Sequence, residues 1–278
     1  MSLMLKLLTI IALLSSSLLA VTSNEVMIKF LEKSFNKNPN IVSLKINIVD
    51  KIAMEKMKGW DAFIVSLNAT VKAKPKNRKI SQKMIWFSNG EIITQDFINM
   101  KTGKSLKDLV SPLLKPEHYK KENLIYGNVN AKHKVAIFSD PLCPFCRTFV
   151  PKAINEMKKQ PNKYAVYYYH FALPALHPAA MALTKAAIAA ELKGVKDVVL
   201  RLYTVDVNSR EKDVKKILAA FNKTMKTDIK PADIKLKTVL EYYNNDLKTA
   251  SDVMVQGTPT MFFDGKIDKT RSKYKKVK

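Results

Sequence analysis

Two short motifs far apart in the chain, Cys143-Pro144-Phe145-Cys146 and Gly257-Thr258-Pro259-Thr260, constrain this sequence more than anything else in it. Cys143 and Cys146 are the only cysteines among 278 residues. A disulfide between them closes too small a ring to restrain a fold, because cross-link stabilisation grows with loop length. The thiols themselves are therefore the point. Disulfide exchange needs one thiol that ionises readily and a second within reach to resolve the mixed disulfide. Cys-x-x-Cys at a helix start supplies both, so Cys143 and Cys146 read as a redox-active pair that needs no added cofactor.

Other uses of the pair fit less well. A structural zinc site takes four ligands, and there is no second Cys-x-x-Cys. His118, His133, His170 and His177 are scattered, and His133, His170 and His177 read as surface or packing residues, so no metal site is expected. Covalent haem attachment needs His directly after the second cysteine, where this chain has Arg147.

The first residues read as a targeting segment. Lys6 precedes an apolar run from Leu7 to Ala20, which is 14 residues, inside the roughly 7–15 of a secretory core and short of the ~20 of a membrane span. Residues 1–23 are expected to be a signal peptide, cut before Asn24 or after Ala20; an uncleaved anchor is the plainer alternative. Export places the protein where a disulfide persists. The balance of 48 Lys+Arg against 24 Asp+Glu gives a net charge of +24. Only Arg78, Arg147, Arg201, Arg210 and Arg271 are arginines, and the lysines are dispersed. Nucleic-acid readers lean on Arg, so no nucleic-acid partner is expected. The lysines read as a solvated surface or as attraction to acidic partners and membranes.

The order of elements suggests two domains. Thr22-x-x-Glu25 matches a capping box before Val26, Met27, Phe30 and Leu31, which recur at helical spacing. Val42, Leu44, Ile46 and Ile48 alternate as on one strand face, Trp60 to Val71 reads as a second strand, and Ser88-Asn89-Gly90 signals a hairpin between 83–87 and 91–94. Residues 24–104 thus form a small α+β unit, and 105–123, with Pro112 and Pro116, reads as a linker of broken helical pieces. In 124–278 a strand at 135–138 leads into the cysteine helix, which Pro151 should kink. A strand follows at 164–171, then a helical stretch over about 175–250, then a closing strand at 260–263 with an Asp264-Gly265 turn. This is the pattern of an α/β thioredoxin-like domain with an inserted helical subdomain.

Phe138-Ser-Asp-Pro-Leu-Cys143-Pro-Phe-Cys146 and Val255-Gln-Gly-Thr-Pro259-Thr resemble bacterial periplasmic thiol:disulfide interchange proteins of the DsbC/DsbG type. Phe87-Ser-Asn-Gly-Glu and the segment before Leu124-Ile125-Tyr126 are similar to that family's dimerisation domain, which is α+β and cystatin-like, and to its linker. The long helical insertion is closer to the DsbA oxidases, and the few residues after Asp264-Gly265 leave the usual terminal helix short or missing.

The resemblance implies a V-shaped homodimer acting on unfolded or misfolded exported proteins, recharged by an inner-membrane redox partner. It implies a cis Thr258–Pro259 peptide beside the cysteines, with both residues binding extended substrate. Cys143 is expected to be the exchanging sulfur, because a helix N-terminus favours a thiolate; Cys146 is expected to resolve. Pro144 and Phe145 tune the redox balance. Arg147 reads as a solvated helix residue and Asp140 as shaping its loop. Isomerase and oxidase directions both stay open, as do a thiol-independent holdase and a reductase for one client.

Overall fold

The computed structural model describes residues 22–277, and these divide into two compact units at Lys107/Asp108. The expected signal peptide lies, as far as Val21, outside the described residues.

In the first unit, helix α1 (Asn24–Phe35) precedes an antiparallel sheet of β1 (Ile41–Ala53), β2 (Asp61–Val71), β3 (Arg78–Ser88) and β4 (Ile93–Thr94), in that order. Met27 and Leu31, one turn apart on α1, bury against Ile46, Phe63 and Val65. Val26 and Phe30, expected on that same face, are exposed. The expected capping box is also displaced by one residue. Ser23 is the N-cap, its hydroxyl accepting the Val26 N–H at 3.2 Å. Thr22 is instead buried, its hydroxyl bonded to that of Ser88 at 2.8 Å.

Alternation along β1 fails at two places for one reason. The pairing with β2 steps from Ile41↔Val71 to Ser43↔Thr70, and from Ile48↔Val65 to Asp50↔Ile64. Val42 and Val49 are the extra residues of these two β-bulges, and each is 52% exposed. A bulge turns the extra side chain out of the two-residue rhythm, so Val42 leaves the face that Leu44, Ile46 and Ile48 share. The hairpin after β3 uses a four-residue loop rather than a two-residue Asn-Gly turn. Ser88 pairs with Ile93, and Asn89 Oδ1 accepts the N–H groups of Glu91 (3.1 Å) and Ile92 (2.8 Å).

The run over 105–123 opens with the short helix α2 (Lys107–Val110). It then packs into the second unit: the Leu114 N–H donates to the Gly265 carbonyl at 2.8 Å, and Asn123 Nδ2 donates to the Tyr168 carbonyl at 3.0 Å. That unit is built on β5 (Leu124–Tyr126), β6 (His133–Ser139), β7 (Tyr164–His170), β8 (Thr260–Phe263) and β9 (Lys266–Ile267), in the order β5-β7-β6-β8-β9. β6 and β7 are parallel, joined by helix α3 (Pro144–Lys158), and the remaining pairs are antiparallel. Pro151 lies inside α3, which continues past it to Lys158.

Between β7 and β8 the chain forms α4 (Ala180–Leu192), α5 (Val198–Leu202), α6 (Val214–Met225) and α7 (Lys237–Asp252). Leu183, Ala186 and Ala190 of α4 share one core with Leu202, Phe221, Val239 and Tyr243. α4 is apolar around its circumference, as a helix enclosed by its neighbours must be. After β9, among the described residues, there is only a 3₁₀ turn at Lys273–Lys275.

Candidate redox site

β6 ends at Ser139, and the chain turns through Asp140, Pro141 and Leu142 into α3. Buried Asp140 builds that turn. Its Oδ1 accepts the Leu142 N–H and its Oδ2 the Leu173 N–H, both at 2.7 Å, and Oδ2 lies 3.2 Å from His177 Nδ1. The loop before the cysteines is thereby tied to the chain leaving β7. Arg147 is not the solvated residue expected from sequence. Its Nε donates to the Pro141 carbonyl at 3.1 Å, and a terminal nitrogen donates to the Val205 carbonyl. A guanidinium has enough donors to bridge two carbonyls at once, and this one fastens the turn to the helical region.

Cys143 is the N-cap of α3 with extended backbone (φ −67°, ψ 122°), and its carbonyl accepts the Arg147 N–H at 3.0 Å. Pro144 at N1 costs no hydrogen bond, since the first N–H of a helix has no partner to lose. Cys143 is partly exposed and Cys146, one turn on, is fully buried; both are free thiols. The Thr258–Pro259 peptide is cis. The Thr258 carbonyl accepts the Cys143 S–H at 3.8 Å, so the second motif lies against the first despite its distance in sequence.

Cys146 has surroundings that sequence did not point to. Tyr203 OH donates to Ser139 Oγ at 2.7 Å and lies 2.9 Å from Tyr168 OH, all three buried. Burial pushes the Cys146 thiol up to about 11; the Ser139 and Thr258 side chains and the Asp140 backbone oppose this without overcoming it. Cys146 thus keeps its proton at neutral pH, while Cys143 is the sulfur a second molecule can reach. Positions 139, 168 and 203 carry no local pattern that ties them to a thiol, and only the fold assembles them.

A measurable pH dependence follows. With the folded-state value raised, the protonated Cys146 stabilises the fold fully below the unfolded value of about 9, and that stability is lost as pH rises through about 11. Two units correspond to roughly 2–3 kcal/mol. In urea unfolding, the reduced protein should lose about that much more stability across this window than Cys146→Ser. Parallel pH profiles for the two proteins would refute the assignment.

A second buried polar cluster lies along β7. Asp246 of α7 accepts the His170 backbone N–H at 2.8 Å and Asn123 Nδ2 at 2.8 Å, and burial pushes its carboxyl up to about 7. Burial disfavours the charged His170 ring, but Glu191, at 3.4 Å, and Asp246 outweigh it and raise its pKa. This cluster is part of the packing between sheet and helices. Among the described residues no group of His, Cys, Asp and Glu could hold a metal ion, and no helix is long and apolar enough to cross a membrane.

No curated protein matches the sequence. Among solved structures the chain is similar to Proteus mirabilis ScsC in a compact conformation, at 21% identity over 54% of this chain and 73% of that one, with a TM-score of 0.44. It is also similar to oxidised BdbD from Bacillus subtilis (19% identity, 59% of this chain and 90% of that one, TM-score 0.44). A third is the thiol-disulfide exchange protein α-DsbA2 from Wolbachia pipientis (20% identity, 62% and 87%, TM-score 0.43). Residues 119–278, more than half of the chain and all of the cysteine site, match the thioredoxin family. With the strand–Cys-x-x-Cys helix–strand core already in view, the chain belongs to the thioredoxin family.

Proposed function

We propose that this protein is a thiol:disulfide oxidoreductase that introduces or rearranges disulfides in exported proteins. The observation that carries this reading is the unequal pair: Cys143, partly exposed at a helix N-terminus, with Cys146 buried one turn behind it. In the oxidase direction a substrate thiolate attacks Cys143 of the disulfide form. A substrate–Cys143 bond forms, the Cys143–Cys146 bond breaks, and the Cys146 sulfur takes up a proton. A second substrate thiolate then attacks the substrate sulfur, so two substrate thiols become a disulfide and the protein gains two electrons and two protons as its dithiol. In the isomerase direction reduced Cys143 attacks a wrong disulfide, and the substrate's own thiols rearrange before they release it.

Thr258 borders the exchanging sulfur and Pro259 follows it in the chain; the Thr258 carbonyl, which accepts the Cys143 S–H, would accept from an extended substrate backbone instead. Homodimerisation through the first unit draws support from Val26 and Phe30, large apolar side chains one turn apart and exposed on α1. Export to the periplasm rests on the apolar N-terminal run. Of the two cleavage points, the one after Ala20 retains the buried Thr22–Ser88 bond. An inner-membrane partner would restore the disulfide of an oxidase or the dithiol of an isomerase.

The test is refolding of a scrambled multi-disulfide protein, scored as recovered client activity, beside oxidation of the same client from its reduced form. Cys143-dependent recovery from the scrambled state establishes an isomerase. Oxidation without such recovery establishes an oxidase. Absence of both would sink the proposal. Suppression of client aggregation by the Cys143→Ser, Cys146→Ser double variant would identify a separate, thiol-independent holding activity.

A further inference from the structure

The chain after β9 forms a strap pinned at both ends. At its start Asp268 is buried, and its Oδ1 accepts the Thr270 N–H (3.1 Å) and hydroxyl (2.6 Å) while Oδ2 accepts the Lys273 N–H (2.8 Å). At its end Tyr274 packs into the core that holds Val135, Ile154 and Met157, and its carbonyl accepts Tyr164 OH at 2.6 Å. Arg271 lies between these anchors with φ +53°. That left-handed conformation is unfavourable for a residue with a Cβ, and it persists where the surroundings fix it.

What this conformation achieves is a position. The Arg271 guanidinium carbon lies 4.9 Å from the centre of the Phe145 ring. Phe145 is 48% exposed, stacks on Phe149 with ring centres 5.8 Å apart, and stands between the two cysteines. Among the described residues the guanidinium has no hydrogen bond or ion pair, unlike that of Arg147. A guanidinium held over a ring with no hydrogen-bond partner keeps its N–H groups available, and those groups match a carboxylate in two parallel hydrogen bonds.

We propose that Arg271 and Phe145 form a carboxylate-binding subsite beside Cys143, selecting polypeptides that carry Asp or Glu close to the reacting cysteine. This deepens the proposed oxidoreductase reading and rests on it. The general charge of +24 draws in any acidic chain; the subsite adds dependence on where the acid stands relative to the cysteine.

The test uses short synthetic peptides with one cysteine held as a mixed disulfide to an uncharged aromatic thiol, and with Glu or Gln two residues away. The reduced protein attacks the peptide sulfur through Cys143 and expels the aromatic thiol, whose absorbance gives the rate. Cys146 then closes the protein disulfide and releases the peptide thiol, so the dithiol's two electrons reduce the original mixed disulfide. The wild type should prefer the Glu peptide about fivefold, the scale of a well-placed but partly exposed ion pair. That ratio should fall towards one in Arg271→Gln and persist in Lys273→Gln, which removes the same charge from an exposed place on the same strap. A wild-type ratio near one, or an equal fall in both variants, overturns the subsite while leaving exchange itself in place. Failure to react with either peptide overturns the oxidoreductase reading and the subsite with it.

Discussion

Cys143→Ser should lower disulfide exchange by more than about a thousandfold, because a serine hydroxyl neither ionises near neutral pH nor forms a disulfide. Cys146→Ser should fail differently. Cys143 still stands at the N-cap of α3, partly exposed and against the Thr258 carbonyl, so it still attacks. The resulting mixed disulfide then has no buried thiol to resolve it and accumulates. Intact mass spectrometry after incubation with a disulfide-bearing client distinguishes the two: a substrate adduct on Cys146→Ser and none on Cys143→Ser. An adduct that instead builds up on Cys143→Ser would reverse the roles of the two sulfurs and undo the mechanism given above. Neither substitution should prevent folding, since both replace one sulfur by one oxygen at the start of a helix whose packing rests on Val150, Ala153, Ile154 and Met157.

Gly127→Ala should be the most destabilising of the small-residue changes in the second unit. Gly127 follows β5 with φ +84°, and a Cβ there would lie 1.9 Å from the Tyr164 carbonyl oxygen. Tyr164 begins β7, an interior strand of the sheet, and its hydroxyl also bonds the Tyr274 carbonyl. The obstacle is therefore backbone that cannot swing aside. Gly194 is the natural comparison, with φ +82° and no atom within 4 Å of the place a Cβ would take. Gly194→Ala should cost only the left-handed conformation, about 1–2 kcal/mol. Gly127→Ala adds the collision and should cost about 4 kcal/mol or more, the range reserved for a named steric or packing defect. Urea unfolding of the two variants separates the terms, and equal losses would mean that β7 yields to the added methyl.

Much of this protein is legible from short-range pattern. The Cys-x-x-Cys pair, its place at a helix start, the strands around it and the helical run between β7 and β8 all follow from periodicity and from two motifs. Local rules also explain where that reading slipped. Val42 left its expected face because a bulge inserts a residue that no count of alternation can foresee. The cap of α1 moved from Thr22 to Ser23 because Thr22 found a partner on β3, 66 residues away.

By itself the sequence determined which groups can exchange disulfides, since only two thiols exist and their spacing makes them a pair. Tertiary structure decided what surrounds each of them. Ser139, Tyr168 and Tyr203 meet at Cys146 because β6, β7 and the end of α5 converge there; Arg271 reaches Phe145 because a pinned strap carries it back. Thr258 meets Cys143 because β8 pairs with β6. Reactivity belongs to a residue type and can be read one position at a time. Burial and hydrogen bonding belong to pairs of residues remote in the chain, and they come into being only when the sheet closes.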